Sequence, residues 1–397
     1  MASAIVRLKP GREKSVRRRH PWIFSGAIAE VEGAPSPGDV VEVHSAQGEF
    51  LARGYYNPRS QITVRVLTWD EQERIDATFW QKRLERALAR RETLAQSGDT
   101  TAYRLVFAES DGLPGLIVDR YGDWLVLQSL ALGIEPWKEL LAELLLSLTE
   151  AKGVYERSDV DVRTHEGLPP RVGLLKGELP PEELVVYENG LAFYVDLFAG
   201  QKTGLYLDQR ENRAKVALYC RDAEVLDVFS YVGGFALYAA REGARRIVEV
   251  DSSREALRAA ERNMELNGFS PRDDEYLEGD AFRILRTLRD QARQFDVVIL
   301  DPPKFAFSRA QVQSATRGYK DINMLGMRLV RPGGVLCTFS CSGLVSMDLF
   351  QKVLFGASVD VGREVRVLEY LHQARDHPLL LSFPEGAYLK GFICRVE

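Results

Sequence analysis

The stretch that decides the fold of the second half of the chain is Asp227-Val228-Phe229-Ser230-Tyr231-Val232-Gly233-Gly234-Phe235. An apolar run leads into a glycine pair and then into a helical pattern, which predicts a strand, a tight turn and a helix. The glycines would let a ligand approach the backbone closely. Alone the motif is a weak signal, because it lacks the third glycine of a dinucleotide fingerprint and such a pair is often just a tight turn.

Around this stretch, strands alternate with helices from about Leu184 onwards. That alternation predicts a Rossmann-like α/β domain with a parallel sheet covered on both faces. The predicted strands are 225–229, 246–250, 276–279, 296–300, 335–340, 365–371 and 389–396.

Polar residues fall at or beside the carboxyl ends of five successive strands: Asp227, Asp251, Asp280, Asp301 and Cys341. In an open α/β sheet these ends share one rim, and ligands bind there. We therefore expect the five side chains to surround one site.

Two of these carboxylates predict an adenine nucleoside. Asp251 comes about twenty residues after the glycine turn, where it could accept hydrogen bonds from ribose hydroxyls. Asp280 could accept from an adenine amino group. Because no phosphate-binding loop accompanies them, S-adenosylmethionine is favoured over NAD. The alternative is that each aspartate caps the helix that follows it.

The fourth strand is followed by Asp301-Pro302-Pro303-Lys304. The prolines prevent a regular strand or helix and fix the directions of backbone carbonyls. Amino-methylating enzymes use a similar segment with an aromatic fourth residue, which here is Lys304. A rigid turn is the structural alternative, but it leaves the aspartate at the buried end of the strand unexplained.

The fifth strand ends at Phe339-Ser340-Cys341-Ser342-Gly343. Carbon 5 of a pyrimidine becomes nucleophilic after a thiolate adds to carbon 6. Cys341 is the candidate thiolate, Asp301 the candidate partner for the N3 edge of the ring, and Lys304 the candidate group that lowers the pKa of the thiol. Most cysteines serve packing instead, and we assign that role to Cys220, Cys337 and Cys394.

Composition limits the remaining choices. The 397 residues, 45% apolar and 27% charged, predict two or three soluble domains, and no apolar run is long enough to span a membrane. The absence of a signal-peptide pattern favours the cytoplasm. The scattered cysteines and histidines predict neither disulfides nor a metal site.

Seven of the first 19 residues are Lys or Arg, although the net charge of the chain is −5. Together with the aromatic residue that follows them, they indicate a nucleic-acid partner. The candidate RNA-binding residues are Arg17, Arg18, Arg19, His20 and Trp22. The alternative is an exposed loop kept soluble by its charge.

Strand and helix patterns divide the chain into three regions. Residues 1–70 read as a small β-rich domain, 71–183 as a mixed α/β middle domain and 184–397 as the Rossmann-like domain. A proline-marked polar stretch, 166–183, is the predicted boundary before the last region.

The whole chain resembles the 23S ribosomal RNA cytosine-5 methyltransferases of the RlmI-like group. The 184–397 region looks like a class I S-adenosylmethionine-dependent methyltransferase. The segments Leu8-Lys9-Pro10-Gly11-Arg12 and His20-Pro21-Trp22-Ile23-Phe24-Ser25-Gly26 look like that group's PUA RNA-binding module. Residues 198–210 are similar to its segment before the glycine turn.

The resemblance implies that Gln201, Lys202, Thr203, Asp208 and Arg210 lie near the cofactor. The glycine turn and the strand ends add the other predicted cofactor contacts: Asp227, Ser230, Gly233, Gly234, Asp251, Asp280, Ala281 and Asp301. Many related enzymes carry a second cysteine where this chain has Lys304. Product release here would therefore not use a second thiol.

The resulting hypothesis is methylation of carbon 5 of a cytosine in 23S ribosomal RNA through a covalent Cys341 adduct. The alternatives are methylation of guanine or of an exocyclic amine in RNA, and an assembly factor with a relic methyltransferase fold. A homodimer is one of the oligomeric states left open.

Overall fold

The computed structural model describes residues 4–200, 203–270 and 275–397. The chain forms two compact units, each assembled from separate segments. The first comprises Met1–Tyr187, Val195–Leu207 and Arg375–Gly386, and the second comprises Glu188–Tyr194, Asp208–Ala374 and Ala387–Glu397. The domain boundaries at 70 and 183 stay predictions.

The first unit begins with a six-stranded sheet of order β2-β6-β5-β4-β1-β3. Apolar residues alternate along its strands and form a common core that includes Val6, Val41, Val43 and Val64. This confirms the predicted β-rich first region. Its elements are β1 (Ile5–Leu8), α1 (Lys14–Arg17), β2 (Trp22–Phe24), β3 (Ile28–Glu32), β4 (Val40–His44), β5 (Phe50–Tyr56) and β6 (Ile62–Thr68).

A second, five-stranded sheet of order β11-β10-β9-β8-β7 belongs to the same unit. Two helices pack on it around the fully buried Trp80, as the predicted mixed α/β middle region requires. Its elements are α2 (Ala77–Ala89), α3 (Glu92–Ala95), β7 (Ala102–Phe107), β8 (Leu116–Tyr121), β9 (Trp124–Ser129), α4 (Lys138–Thr149), β10 (Gly153–Ser158), α5 (Val162–Glu166) and β11 (Arg171–Gly177).

The stretch 166–183, the predicted boundary, contains a strand that was not predicted. Its middle forms β11, which pairs antiparallel with β10. Edge strands have one face or edge in water, so a polar sequence can still form one. A short hairpin follows, with strands β12 (Leu184–Glu188) and β13 (Leu191–Val195).

The second unit contains a seven-stranded sheet of order β16-β15-β14-β17-β18-β20-β19. Each predicted strand is present, shifted at its ends by a few residues. The elements are α6 (Arg210–Ala217), β14 (Glu224–Val228), α7 (Gly234–Arg241), β15 (Arg246–Asp251), α8 (Arg254–Leu266), β16 (Tyr276–Glu278), α9 (Ala281–Asp290), β17 (Phe295–Leu300), α10 (Val312–Leu329), β18 (Val330–Ser340), α11 (Met347–Val361), β19 (Val365–His372) and β20 (Lys390–Val396).

One strand departs from the predicted parallel arrangement. β20 lies between β18 and β19 and runs antiparallel to both. Its first residue, Lys390, therefore pairs with Ser340 at the carboxyl end of β18. This reversal brings the start of a strand to the rim where the other strands end.

The longest helix, α10, has 18 residues and buries one face that includes Tyr319, Ile322 and Leu325. Its opposite face is polar, as expected for a helix packed on a sheet. Within the described ranges, no helix is both long and apolar enough to cross a membrane.

A buried ion cluster connects the two sheets of the first unit. The Arg65 guanidinium, on β6, lies 2.9 Å from Glu109 and 3.0 Å from Glu166. Trp22 donates its indole N–H to Glu109 at 2.7 Å, and Asn57 donates to Glu166 at 2.9 Å. Burial alone would raise the pKa of Glu166, but the charge of Arg65 and the hydrogen bonds lower it.

We expect Arg65→Met to lower the free energy of unfolding by about 3–5 kcal/mol, because two buried carboxylates lose their partner. Chemical denaturation at neutral pH measures this change. Lys176→Met, which removes an exposed ion pair with Glu143, is the matched control and should change little.

The pH dependence of this loss follows from the lowered pKa of Glu166. In the wild type the pair stabilises the fold above the ordinary carboxyl range, and this contribution is lost as pH falls below it. In the variant, protonation removes the unpaired charges. The difference in the free energy of unfolding between wild type and variant should therefore narrow towards pH 4. An equal difference at pH 7 and pH 4 would contradict this account.

Candidate active site

The carboxyl ends of the central strands lie side by side. Val228 of β14 pairs with Val250 of β15 and with Leu300 of β17, and Leu300 pairs with Thr338 of β18. Asp251 directly follows Val250, and Asp301 directly follows Leu300. The predicted grouping of polar residues therefore corresponds to a real rim of the sheet.

The turn after β14 has a backbone that few side chains tolerate. Phe229, Tyr231 and Gly233 all have positive φ angles, of 66°, 51° and 76°. A Cβ on Gly234 would lie 2.6 Å from Nε of Arg213, and one on Gly233 would lie 2.9 Å from Cβ of Ala260. Both glycines are thus sterically required, and α7 starts directly behind them.

Backbone hydrogen bonds hold this turn against the neighbouring strand. The Ser230 amide donates to the Val250 carbonyl at 3.1 Å, and the Gly233 amide donates to the Ser230 carbonyl at 2.9 Å. The Oδ2 oxygen of Asp251 accepts a hydrogen bond from the Tyr231 amide at 2.9 Å. The turn is preorganised by contacts that do not require a ligand.

Asp227 is the residue whose environment most clearly needs a ligand. It is fully buried, and neither carboxyl oxygen forms a well-aligned hydrogen bond with the described residues, although the Ala236 backbone amide is near enough to favour the charged form. Burial and the charge of Asp301 raise its pKa to about 8. A buried, unsatisfied carboxyl below a glycine turn fits a cofactor that brings a polar group to this position.

The two predicted nucleoside contacts differ in the structure. Asp251 does not cap α8, because Ser253 does so by accepting from the Ala256 amide at 3.2 Å. Asp280 does cap α9, accepting from the Arg283 amide at 2.9 Å, and Ala281 is the buried first residue of that helix. The capping alternative therefore fails for Asp251 and holds for Asp280, whose role towards adenine stays a prediction.

The predicted cofactor residues Thr203, Asp208 and Arg210 have defined neighbours within their own units. In the first, the Thr203 hydroxyl donates to Asp119 at 2.7 Å and lies 3.0 Å from the Tyr121 hydroxyl. In the second, Asp208 accepts from the Tyr388 hydroxyl at 2.5 Å, and Arg210 is buried at the start of α6. The predictions for Gln201 and Lys202 lie outside the described residues.

Asp301 is half-buried after β17 and accepts from the Gln209 side-chain amide at 2.9 Å. Gln209 in turn accepts from Asn212 at 2.6 Å, which fixes the orientation of its amide. Gln209 was not among the predicted site residues, although it falls inside the 198–210 segment. Its position beside charged residues was the available signal, but spacing alone does not show which polar side chain faces Asp301.

Cys341 differs from the other three cysteines because it is half-buried and they are buried. Its sulfur lies 4.0 Å from the carbonyl oxygen of Pro302, the residue after Asp301. Burial raises the pKa of both Cys220 and Cys394 to about 12. Of the four thiols, Cys341 is the one suited to react.

Lys304 extends from the proline turn into solvent, with its ammonium 5.3 Å from the Phe307 ring centroid. A second lysine, Lys390, is buried on the other side of the Cys341 loop and donates to the Ser342 carbonyl at 2.6 Å. Lys390 was not among the predicted site residues. A lone lysine that opens the apolar run 390–396 was the available signal, and its meaning depends on the antiparallel direction of β20.

The predicted RNA-binding residues separate into exposed and packed side chains. Arg17, Arg18 and Arg19 are exposed, although Arg17 pairs with Glu49 at 2.5 Å. His20 and Trp22 instead pack against Phe383, at ring-centroid distances of 6.0 and 4.7 Å. Arg18 also lines a surface groove with Arg12, Lys14, Ser15, Gly11, His20, Leu381 and Ser382.

Comparisons with known proteins agree with this architecture. Family models match a PUA-like domain at residues 6–69 and an S-adenosylmethionine-dependent methyltransferase at residues 162–386. A crystal structure of a methyltransferase complexed with SAH has a TM-score of 0.85 and covers 98% of this chain and 99% of its own. At 22% identity this likeness shows a shared fold.

Two curated relatives are much more similar in sequence. A Shewanella denitrificans protein named ribosomal RNA large subunit methyltransferase I is 51% identical over 98% of this chain and 99% of its own length. A Vibrio cholerae protein of the same name is 51% identical over the full length of both chains. S-adenosylmethionine is the cofactor of this chain. The chain therefore belongs to the S-adenosylmethionine-dependent methyltransferases and, within them, to the ribosomal RNA large subunit methyltransferase I family.

Proposed function

We propose that the protein methylates carbon 5 of a cytosine in 23S ribosomal RNA through a covalent bond from Cys341 to carbon 6. The observation that carries this proposal is the position of Cys341. It is the half-buried thiol of the chain, it lies at the carboxyl rim, and its sulfur is 4.0 Å from the carbonyl that follows Asp301. No such thiol is needed to methylate an amino group.

The chemistry assigns one step to each of two side chains. The Cys341 thiolate forms a bond to carbon 6, and the electrons of the ring double bond move towards N3, which takes a proton from Asp301 or hydrogen-bonds to it. S-adenosylmethionine supplies an electrophilic methyl group. Carbon 5 bonds to this methyl group, and S-adenosylhomocysteine is the leaving group. A base then removes the proton from carbon 5, the carbon 5–carbon 6 double bond re-forms as the sulfur leaves as thiolate, and N3 returns its proton to Asp301.

The cofactor residues have separate roles in this proposal. Asp251 is expected to accept from the ribose hydroxyls, and the buried Asp227 to orient the polar part of the cofactor below the glycine turn. Asp227, with its pKa raised to about 8, is mostly protonated at neutral pH and can donate one hydrogen bond. Gln209 orients the carboxylate of Asp301 through the 2.9 Å hydrogen bond.

The surroundings of the proline turn favour cytosine C5 over an exocyclic amine. Amino methylation requires an aromatic ring on this turn to stack on the target base. Lys304 occupies the fourth position, and the next residue, Phe305, packs on Tyr319 with ring centroids 4.6 Å apart. Amino methylation needs an aromatic ring that is free to stack on the base, whereas this turn carries a lysine and a ring that is already packed.

RNA as the substrate is supported by the relatives' printed name and by the PUA-like match. The exposed Arg17, Arg18 and Arg19 add positive charge to that domain. A base inside an RNA helix must leave its stack to reach a thiol on the rim of a sheet. The PUA-like domain would hold the RNA while the base enters the site.

Replacing Cys341 by Ala should reduce methyl transfer about a thousandfold or more, because the ring is no longer activated. Transfer of labelled methyl groups to 23S ribosomal RNA measures this rate. Calorimetry should show unchanged S-adenosylmethionine affinity, and Cys220→Ala, at a buried thiol, is the control that keeps its activity. Full methylation by Cys341→Ala would exclude the covalent mechanism.

RNA affinity should fall with salt, and less steeply once the basic residues are removed. The triple variant Arg17→Ala, Arg18→Ala, Arg19→Ala should reduce the slope of log Kd against log salt by about 2, since each phosphate contact contributes about 0.7–0.9. Filter binding measures the slope. Lys352→Ala, at an exposed lysine of α11, should leave it unchanged, and an unchanged slope in the triple variant would contradict the assignment.

A further inference from the structure

A buried lysine forms hydrogen bonds with the loop that follows Cys341. Lys390, the first residue of β20, is 4% exposed. Its ammonium donates hydrogen bonds to the carbonyl of Ser342 at 2.6 Å and to that of Val345 at 2.7 Å. These carbonyls belong to the first and the fourth residue after Cys341, and the Val345 amide donates to the Ser342 carbonyl at 3.0 Å. One side chain therefore contacts both ends of a single turn.

The same turn is also held from a second side. The Ser342 side chain is buried, its hydroxyl lies 3.0 Å from the Tyr319 hydroxyl of α10, and it accepts from the Ala306 amide at 3.4 Å. Ala306 belongs to the segment after the proline turn. The Cys341 loop is thus connected to β20, to α10 and to the segment that carries Asp301.

A buried ammonium is costly unless an anion compensates for it. Burial lowers the pKa of Lys390 to about 8, while negative charge at Cys341 opposes this and Lys304 adds to it. On the other side of the loop, burial raises the pKa of Tyr319, and the charge of Cys341 contributes. The titratable groups that interact with the charge of Cys341 are Lys390 from β20 and Tyr319 from α10. Asp301 and Lys304 belong to the proline turn, whose Pro302 carbonyl lies 4.0 Å from the sulfur.

We propose that Lys390 is a positioning residue for the nucleophile, which fixes the Cys341 loop through two carbonyls and stabilises the thiolate with its buried charge. This inference rests on the proposed function, in which Cys341 reacts as a thiolate. It replaces Lys304 as the source of the stabilising charge, because Lys304 extends into solvent and its field is screened by water.

A merely structural clamp would make a different prediction. It would explain the hydrogen bonds to Ser342 and Val345, but it would not make the reactivity of Cys341 depend on charge. Lys390→Met removes the charge with little change in side-chain length, and Lys390→Arg keeps it. Tyr319→Phe removes the contact on the other side of the loop and changes no charge.

The test is the pH dependence of Cys341 alkylation by iodoacetamide in the full-length protein, followed by mass spectrometry of the Cys341 peptide. No RNA is needed. A nearby positive charge favours the thiolate, so Lys390→Met should move the alkylation midpoint upwards by about one pH unit, a tenfold loss of thiolate below the midpoint. The difference in alkylation rate between Lys390→Met and the wild type should narrow above pH 8, where Lys390 itself loses its charge.

The other variants decide between charge and packing. Lys390→Arg, which keeps the charge, should keep the wild-type midpoint, and Tyr319→Phe and the exposed control Lys352→Met should also match the wild type. An unshifted midpoint in a folded Lys390→Met would overturn the proposal. A shift in Tyr319→Phe as large as in Lys390→Met would also overturn it, because loop packing would then be the cause.

A reciprocal measurement covers the case in which Lys390→Met does not fold. Linkage requires that removing the thiolate lowers the pKa of Lys390 by the same amount. In Cys341→Ser, 13C NMR of the lysine side chains should show the Lys390 titration displaced downwards by about one pH unit. An unchanged titration would overturn the proposal. Methylation assays of Cys341→Ala test the proposed function separately, since alkylation of Cys341 reports the thiolate whether or not the protein methylates cytosine.

Discussion

The site depends on the lateral register of the sheet in the second unit. Because β14, β15, β17 and β18 are parallel and their last residues are neighbours, the residues after them meet at one rim. A shift of one residue in β15 or β17 would turn Asp251 or Asp301, respectively, to the other face of the sheet. The strand cores of Val, Ile and Leu, buried on both faces, fix this register.

The antiparallel β20 adds what a fully parallel sheet would lack at this rim. A parallel strand presents its last residue there, whereas β20 presents its first, Lys390, beside the end of β18. The lysine is buried against carbonyls and near a thiol, an environment that apolar packing alone would not select. The buried Asp227 is a second case of the same kind. Burial disfavours the charged form of both residues, and both lie where the proposed chemistry needs a polar group.

Much of this could be predicted from local sequence. The seven strands of the second unit, the glycine turn and the ordered strand-end residues follow from apolar runs, glycines and the parallel-sheet rule. Lys390 and Gln209 could not be predicted, since their roles come from pairings across 48 and 92 positions of the chain. β11 was missed because an edge strand can be polar, and the capping role of Asp280 could not be separated from a ligand role by spacing. The packing of His20 and Trp22 on Phe383, more than 360 positions away, could not be predicted either, and their contact with RNA stays a prediction.

The central claim is that Cys341 forms a covalent bond to the target base, and trapping that bond tests it most directly. The wild-type protein is incubated with S-adenosylmethionine and 23S ribosomal RNA that contains 5-fluorocytosine, in which fluorine replaces the proton removed in the last step. We expect a stable protein–RNA adduct that mass spectrometry assigns to Cys341 and a methylated cytosine. Methylation of unsubstituted RNA by the same preparation, with no adduct on the fluorinated RNA, would contradict the account.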